Sequence, residues 1–165
     1  MVVVDNNWAI GKGNDLLAKL PKDLGRFKAV TVEQFIIIGR KTLESFPGGK
    51  PLPNRENIVL TRDKNYINDD VTIVHSVEEL LDLVNLHQTS NSENEFIVSG
   101  GGEIYKLLLP YASEVLVTKI DYSFEGADTY FENLDDDENW LVDPLSKEII
   151  DNGYSTQVFR YTSQR

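Results

Sequence analysis

Residues 34–38 read Gln-Phe-Ile-Ile-Ile and run straight into Gly39-Arg40-Lys41-Thr42. Four consecutive apolar residues without polar alternation do not suit a strand with one wet face, so they predict a strand buried on both sides. Such strands occur in sheets covered by helices, which makes the expected class α/β. At the end of this strand, Gly39 opens a junction with backbone amides, two cationic side chains and a hydroxyl. That set suits a phosphate-bearing ligand. A glycine turn beside two solvated basic residues has the same local sequence.

Before that strand, residues 1–4 predict a short apolar strand. Asp5-Asn6-Asn7 and a glycine-containing loop to Gly13 follow it. Gly11 and Gly13 allow this loop to close over a ligand, or simply to turn. A helix is expected over 20–30, within which Leu20-Pro21-Lys22-Asp23-Leu24-Gly25-Arg26-Phe27 holds most of the chemical interest. Pro21 needs no amide acceptor in a first helical turn, and Leu20, Leu24 and Phe27 share one apolar face. Asp23 is placed to meet a ligand, although an acid in a first turn is also favoured by the helix dipole alone.

Further strands are predicted over 57–60, 71–74, 95–99, 115–120, 148–150 and 154–161, with a short one over 129–131. Helices are predicted over 77–86 and 103–109, and Leu80, Leu81, Val84 and Leu86 are expected to supply core contacts. Residues 88–94 read as a polar connector. Gly100-Gly101-Gly102 permits close backbone approach to a ligand but lacks the spacing of a Rossmann fingerprint. Asp135-Asp136-Asp137-Glu138 reads as solvated acidic surface, and Trp140 as a packing residue. The Asp151-Asn152-Gly153 turn signal predicts a terminal hairpin at one sheet edge.

With 165 residues, 41% of them hydrophobic, the chain suits one substantial core, and a single domain over 1–165 is expected. A formal charge of -11 argues against a broad nucleic-acid surface, yet leaves room for a small cationic pocket. No apolar run is long enough for a bilayer, and there is no basic-then-apolar secretion signal. With no cysteine and two separated histidines, neither thiol chemistry nor a Cys/His metal site is expected. The composition fits a reducing cytoplasm.

Taken in order, Leu20 to Leu24 with Phe27, Ile38 to Thr42, Pro51-Leu52-Pro53-Asn54-Arg55, Ser99 to Tyr105, and Phe124-Glu125-Gly126 with Asp128-Thr129 resemble the dihydrofolate reductase family, in its bacterial form, along nearly the whole chain. The resemblance implies a mostly parallel central sheet, flanking helices and an antiparallel C-terminal edge strand. It also implies NADPH-dependent reduction of 7,8-dihydrofolate to 5,6,7,8-tetrahydrofolate in one-carbon metabolism. On that basis the catalytic set is Asp23, Tyr105 and Thr118. Asp23 orients the pterin and supports N5 protonation by solvent, Thr118 organises its hydrogen bonds, and Tyr105 lies near the nicotinamide.

Substrate contacts are implied for Val2, Val3, Leu24, Phe27, Phe46, Leu52, Arg55 and Ser99, with Arg55 pairing with the glutamyl α-carboxylate. For the cofactor the resemblance points to Ile10, Asn14 and Leu16 in the mobile loop, and to Gly39, Arg40, Lys41 and Thr42. Leu60, Thr61, Arg62 and His75 follow, with Arg40, Thr61 and Arg62 favouring the 2'-phosphate. Gly100, Gly101, Gly102, Glu103, Ile104 and Thr129 complete the set, with a cis peptide expected between Gly100 and Gly101. Antifolate binding, a monomeric state, no metal, no nucleic acid and no membrane are the remaining expectations. Two alternatives stay open: a related NADPH-dependent pterin or pyrimidine reductase, and a nucleotide-binding regulator without turnover. The chain departs from many relatives in having Leu16-Leu17-Ala18 where they carry Leu-Pro-Trp, in a short first strand, and in an inserted Ala127.

Overall fold

The computed structural model describes residues 1–90 and 93–165; Asn91 and Ser92, inside the polar connector expected over 88–94, lie outside the described residues. In chain order the elements begin with β1 (Val2–Val4), β2 (Ala9–Lys12), β3 (Asp15–Leu16), α1 (Pro21–Thr31), β4 (Phe35–Gly39) and α2 (Arg40–Ser45). They continue with β5 (Glu56–Leu60), β6 (Thr72–Val74), α3 (Val77–Thr89), β7 (Phe96–Val98) and α4 (Gly102–Leu108). The last are β8 (Glu114–Ile120), β9 (Thr129–Tyr130), β10 (Trp140–Pro144), β11 (Ile149–Asp151) and β12 (Tyr154–Ser163). By its contacts the chain divides into two compact units, Met1–Phe27 with Leu109–Arg165, and Lys28–Leu108.

The second unit contains the parallel sheet predicted from residues 34–38. Its strands lie in the order β6-β5-β4-β7, every pair parallel. Ile37, Ile58 and Leu60 pack with Val74, Leu80, Ile104 and Leu108, so α3 and α4 supply that core. Ile38 and Val59, the alternate positions, pack with Leu43 of α2. A period of two therefore sends successive residues to two different helical layers. From β4 the chain adds β5 and β6 on one side and then places β7 on the other, which makes β4/β7 the point where strand order reverses.

Helix α3 extends three residues beyond its expected end, and its N-terminus is capped by the Ser76 side chain, which accepts from the Glu79 amide. Leu86 is not a core residue: it is 67% exposed, because six residues beyond Leu80 the helix has turned about 240°. Leu83 and Val84 pack in its place.

In the first unit, β12 runs antiparallel along β8, while β10 and β11 form the antiparallel edge on its other side. Strand β1 lies parallel to β8. The segment expected as a loop to Gly13 instead folds back as β2 and β3, with β9 paired to β2. Trp8 stacks with Phe131 and meets Tyr161 edge-on.

Asp135 is exposed, as read from the acidic run, but it is not free in solvent. Its Oδ2 is 2.7 Å from Lys119 Nζ, its Oδ1 accepts from the Tyr161 hydroxyl at 2.6 Å, and the same ammonium lies over Trp8, Phe159 and Tyr161. Partial burial pushes the Asp135 carboxyl up, but the bonds from Lys119 and Tyr161 and the Lys119 charge outweigh it and hold the group below the usual range. A carboxylate lowered in the folded state stabilises above its unfolded pKa, near ~4, and loses that contribution as pH falls through the folded value. Asp135→Asn is therefore expected to lower the urea midpoint at pH 7, with the gap to wild type closing as pH falls below about 4. A gap independent of pH would show that the ionised group is not the source of the stabilisation.

Candidate active site

Asp23 occupies the first turn of α1 in the first unit, and its side chain is 14% exposed. The Thr118 hydroxyl donates to Asp23 Oδ1 at 2.6 Å, and Arg26 Nη2 donates to the same oxygen at 2.9 Å. Arg26 Nη2 also donates to Thr118 Oγ1 at 2.6 Å, closing a triangle. A carboxylate withdrawn this far from water is costly without partners, and the guanidinium and hydroxyl supply them. Thr118 is itself buried in β8, in register with Val3 of β1 and Val158 of β12.

Beside Asp23 is an apolar cavity of about 70 Å³ whose walls include Val3, Ile10, Leu16, Leu17, Leu20 and Leu24. The structure thus brings the predicted Val3, Ile10, Leu16 and Leu24 around the acid. Leu24 remains 54% exposed, as a residue lining an open ligand site would be. Leu17 and Ala18, the departure from Leu-Pro-Trp, line the same cavity with apolar surface. Val2 is instead buried in β1, and Phe27 is half-buried on α1.

Asn14 is exposed between β2 and β3 with φ of 66°, and Thr129 pairs with Gly11 across β9 and β2. The Gly13 amide donates to Asp128 Oδ2 at 2.9 Å, a bond that holds the Asp128 carboxyl below its usual range. A second cavity, of about 100 Å³, also has Asp23 in its wall, together with Lys22, Arg26, Thr118, Ser146 and Asp151.

Another predicted group gathers in the second unit at the β4/β7 switch point. The Gly39 amide donates to the Gly100 carbonyl at 2.9 Å, and the Gly100-Gly101 peptide is cis. A Cβ on Gly39 would come within 3.1 Å of Ile104 Cγ1, and one on Gly101 within 3.2 Å of Thr42 Oγ1. Glycine avoids that crowding at the carboxyl ends of the strands. Gly102, Glu103 and Ile104 begin α4, and the Tyr105 amide donates to the Gly101 carbonyl at 3.0 Å. Burial pushes the Tyr105 hydroxyl well above its ordinary pKa, so it remains protonated. Ser99 continues β7, its amide donating to the Ile37 carbonyl at 2.9 Å.

Arg40 is 3.7 Å from Glu44 and 3.6 Å from Asp63, while Lys41 and Arg62 are exposed and Thr42 half-buried. Leu60 is buried at the end of β5; Thr61 follows it, and His75 Nδ1 donates to the Thr61 carbonyl at 2.9 Å. Arg55 Nε donates to the buried Thr31 hydroxyl at 2.8 Å, and its Nη1 to the Pro53 carbonyl at 3.1 Å. Phe46 and Leu52 are half-buried.

Three supporting residues are absent from the sequence-predicted set. Arg26 stands three positions after Asp23, the helical spacing at which acid and base meet, so the pattern was present. Asn57, buried in β5, exchanges two bonds with the Leu52 backbone and donates to the Arg55 carbonyl, bracing that loop. Asp151 bonds to the amides that begin α1 from far along the chain. No local pattern announces it.

A parallel α/β unit with glycines where strand order reverses belongs to the class of open α/β folds whose ligands bind at the carboxyl ends of the strands. The family model described as dihydrofolate reductase matches residues 1–163. A dihydrofolate reductase of Bacillus subtilis is 43% identical over 139 residues, covering 84% of this chain and 77% of the relative. One from Staphylococcus haemolyticus is 40% identical over 153 residues, covering 92% and 85%. The solved structure of dihydrofolate reductase from Enterococcus faecalis complexed with NADP(H) and RAB-propyl is similar at a TM-score of 0.81 and 32% identity, over 99% of this chain and 94% of that one. The chain belongs to the dihydrofolate reductase family.

Because the Thr118 hydroxyl both donates to Asp23 and accepts from Arg26, Thr118→Val keeps the shape and deletes both bonds. It is expected to cost about 1–3 kcal/mol, read from urea unfolding with an unchanged slope. A loss below half of the lower figure would show that water replaces the hydroxyl.

Proposed function

We propose that the chain is an oxidoreductase that uses NADPH to reduce 7,8-dihydrofolate to 5,6,7,8-tetrahydrofolate. The family match over residues 1–163 carries this reading. The residues also fit the cofactor. Glycine stands where a Cβ would crowd Ile104 and Thr42, and Arg40, Lys41 and Arg62 bring local positive charge to a chain of net charge -11. NADPH, when bound, supplies the hydride that reaches C6 of the dihydropterin.

The chain's own residues then have the following parts. In the first unit, Asp23 accepts from the pterin's amino and ring N–H groups and fixes its orientation, while solvent delivers the proton to N5. Thr118 and Arg26 hold the carboxylate in place, and Val3 and Leu24 supply apolar wall. In the second unit, Arg55 pairs with the glutamyl α-carboxylate, its fork oriented by Thr31 and Pro53. Phe46 and Leu52 contact the p-aminobenzoyl region, and Ser99 offers backbone groups. Arg40, Thr61 and Arg62, with His75 beside them, take the 2'-phosphate. The glycines at the β4/β7 switch admit the diphosphate, and Tyr105 presents a neutral hydroxyl and ring. The proposal includes one catalytic domain acting as a cytoplasmic monomer, open to antifolates that resemble the pterin.

The test is substrate-dependent NADPH oxidation with product identification, comparing dihydrofolate with an unconjugated dihydropterin. Preference for dihydrofolate is expected, since Arg55 suits a carboxylate that simpler pterins lack. Equal turnover of both would favour a general pterin reductase. Arg40→Ala combined with Arg62→Ala is expected to weaken NADPH binding about tenfold or more while changing NADH little, two charge-assisted contacts being at stake. Equal loss for both cofactors would remove these arginines from 2'-phosphate recognition.

A further inference from the structure

We infer that Asp151 is a positioning residue for the reaction, setting the place of the Asp23 carboxylate through the backbone of α1. The inference rests on the role proposed for Asp23. The Asp151 carboxylate is 2% exposed, and each oxygen takes one amide at the start of the helix: Oδ1 accepts from Lys22 N at 3.2 Å and Oδ2 from Asp23 N at 3.0 Å. Amides of a first helical turn have no acceptor within the helix. A local cap ordinarily serves them, but Leu20, the residue before α1, has no side-chain acceptor. The start of this helix is instead held by a residue 128 positions from Asp23.

Two more bonds join the same turn to the same segment. Lys22 Nζ donates to the Ile150 carbonyl at 2.8 Å, and Asn152 Nδ2 donates to the Lys19 carbonyl at 2.9 Å. The turn is itself well defined, with Asn152 at φ 50° and Gly153 at φ 84°, the left-handed pair of a two-residue hairpin. From there the register is fixed by β12: Asp151 lies opposite Tyr154, and further along the same strand Val158 lies opposite Thr118. Asp23 is therefore gripped at its amide by Asp151 and at its carboxylate by Thr118, and β12 pairs with the strands that carry both. A catalytic group held at two points by strands that share one partner has its aim fixed by the sheet.

The test uses the full chain with Asp151→Ala, Asp151→Asn, Asp23→Asn and the double variant Asp23→Asn/Asp151→Asn. The expected result for Asp151→Ala is a fall in kcat/KM for dihydrofolate of about tenfold, the scale of a small misplacement of a catalytic group. Asp151→Asn, which keeps one acceptor oxygen, should lose less. NADPH affinity should stay within about twofold in both, since the displaced group is not assigned to the cofactor. In the Asp23→Asn background, Asp151→Asn should leave the dihydrofolate dissociation constant unchanged, the non-additivity of residues acting through one another.

Additive effects would overturn the inference, as would equal losses in dihydrofolate turnover and NADPH affinity, or activity unchanged in both single variants. If Asp151→Ala does not fold, Asp151→Asn alone carries the same readouts. A wild-type chain that oxidises no NADPH with dihydrofolate overturns the proposed function and this inference together. An active wild type whose Asp151 variants behave additively overturns the inference alone.

Discussion

A carboxylate whose side chain is only 14% exposed is the constraint to which the first unit answers. An ionised group that far from water must be given donors, and the donors must themselves be held. Arg26 comes with the helix at no cost in topology, because it lies one turn away. Thr118 requires much more. Its strand must lie against α1, and β8 gets its place from β1 on one side and β12 on the other. The long antiparallel pairing of β8 with β12 thus does more than fill a sheet: it carries the hydroxyl that meets the acid.

The second unit answers a different constraint, the close approach of backbone at the β4/β7 reversal that the proposed cofactor site uses. Parallel strands buried on both faces end at one edge, and a reversal of strand order leaves a crevice there. Gly39 ends β4 at that reversal, and Ser99-Gly100-Gly101 continues from β7. A Cβ on Gly39 or Gly101 would sit 3.1 Å from Ile104 or 3.2 Å from Thr42, so either side chain would have to give way by a few tenths of an ångström.

What could be read from the sequence follows the same division. Strand β4 was legible because burial on both faces leaves an uninterrupted apolar run, and α3 because Leu80 and Val84 recur at helical spacing. The end of α3 was less clear, since His87 packs against Phe35 and Phe96, contacts that periodicity does not reveal. β2 and β3 leave no strand signal: strands of four and two residues among glycines carry too little pattern to register. Asp135 is solvated, as its acidic neighbours indicate, but its partners Lys119 and Tyr161 lie 16 and 26 residues away and leave no local signal. The predicted site residues came from order and spacing across the whole chain. Of the residues that hold them, Arg26 reaches Asp23 within one helical turn and Asn57 reaches residues no more than five positions away, whereas the Asp151 bonds are made across the tertiary fold.

The two kinds of charge in these units also differ in commitment. Arg26 makes a hydrogen-bonded contact with Asp23 at 2.9 Å, within a triangle that leaves neither group loose. Arg40 faces Glu44 and Asp63 at 3.7 and 3.6 Å, beyond hydrogen-bonding distance and partly in water, where such pairs contribute about 0–1 kcal/mol. A doubly charged phosphate offers Arg40 shorter, stronger bonds than either carboxylate, so the weak pairs can be exchanged for a ligand at small cost. The contrast fits the parts assigned to each. Under the proposed function, the acid that orients the substrate is bound tightly to its own chain, and the cation proposed for the phosphate is held only weakly in a protein of net charge -11.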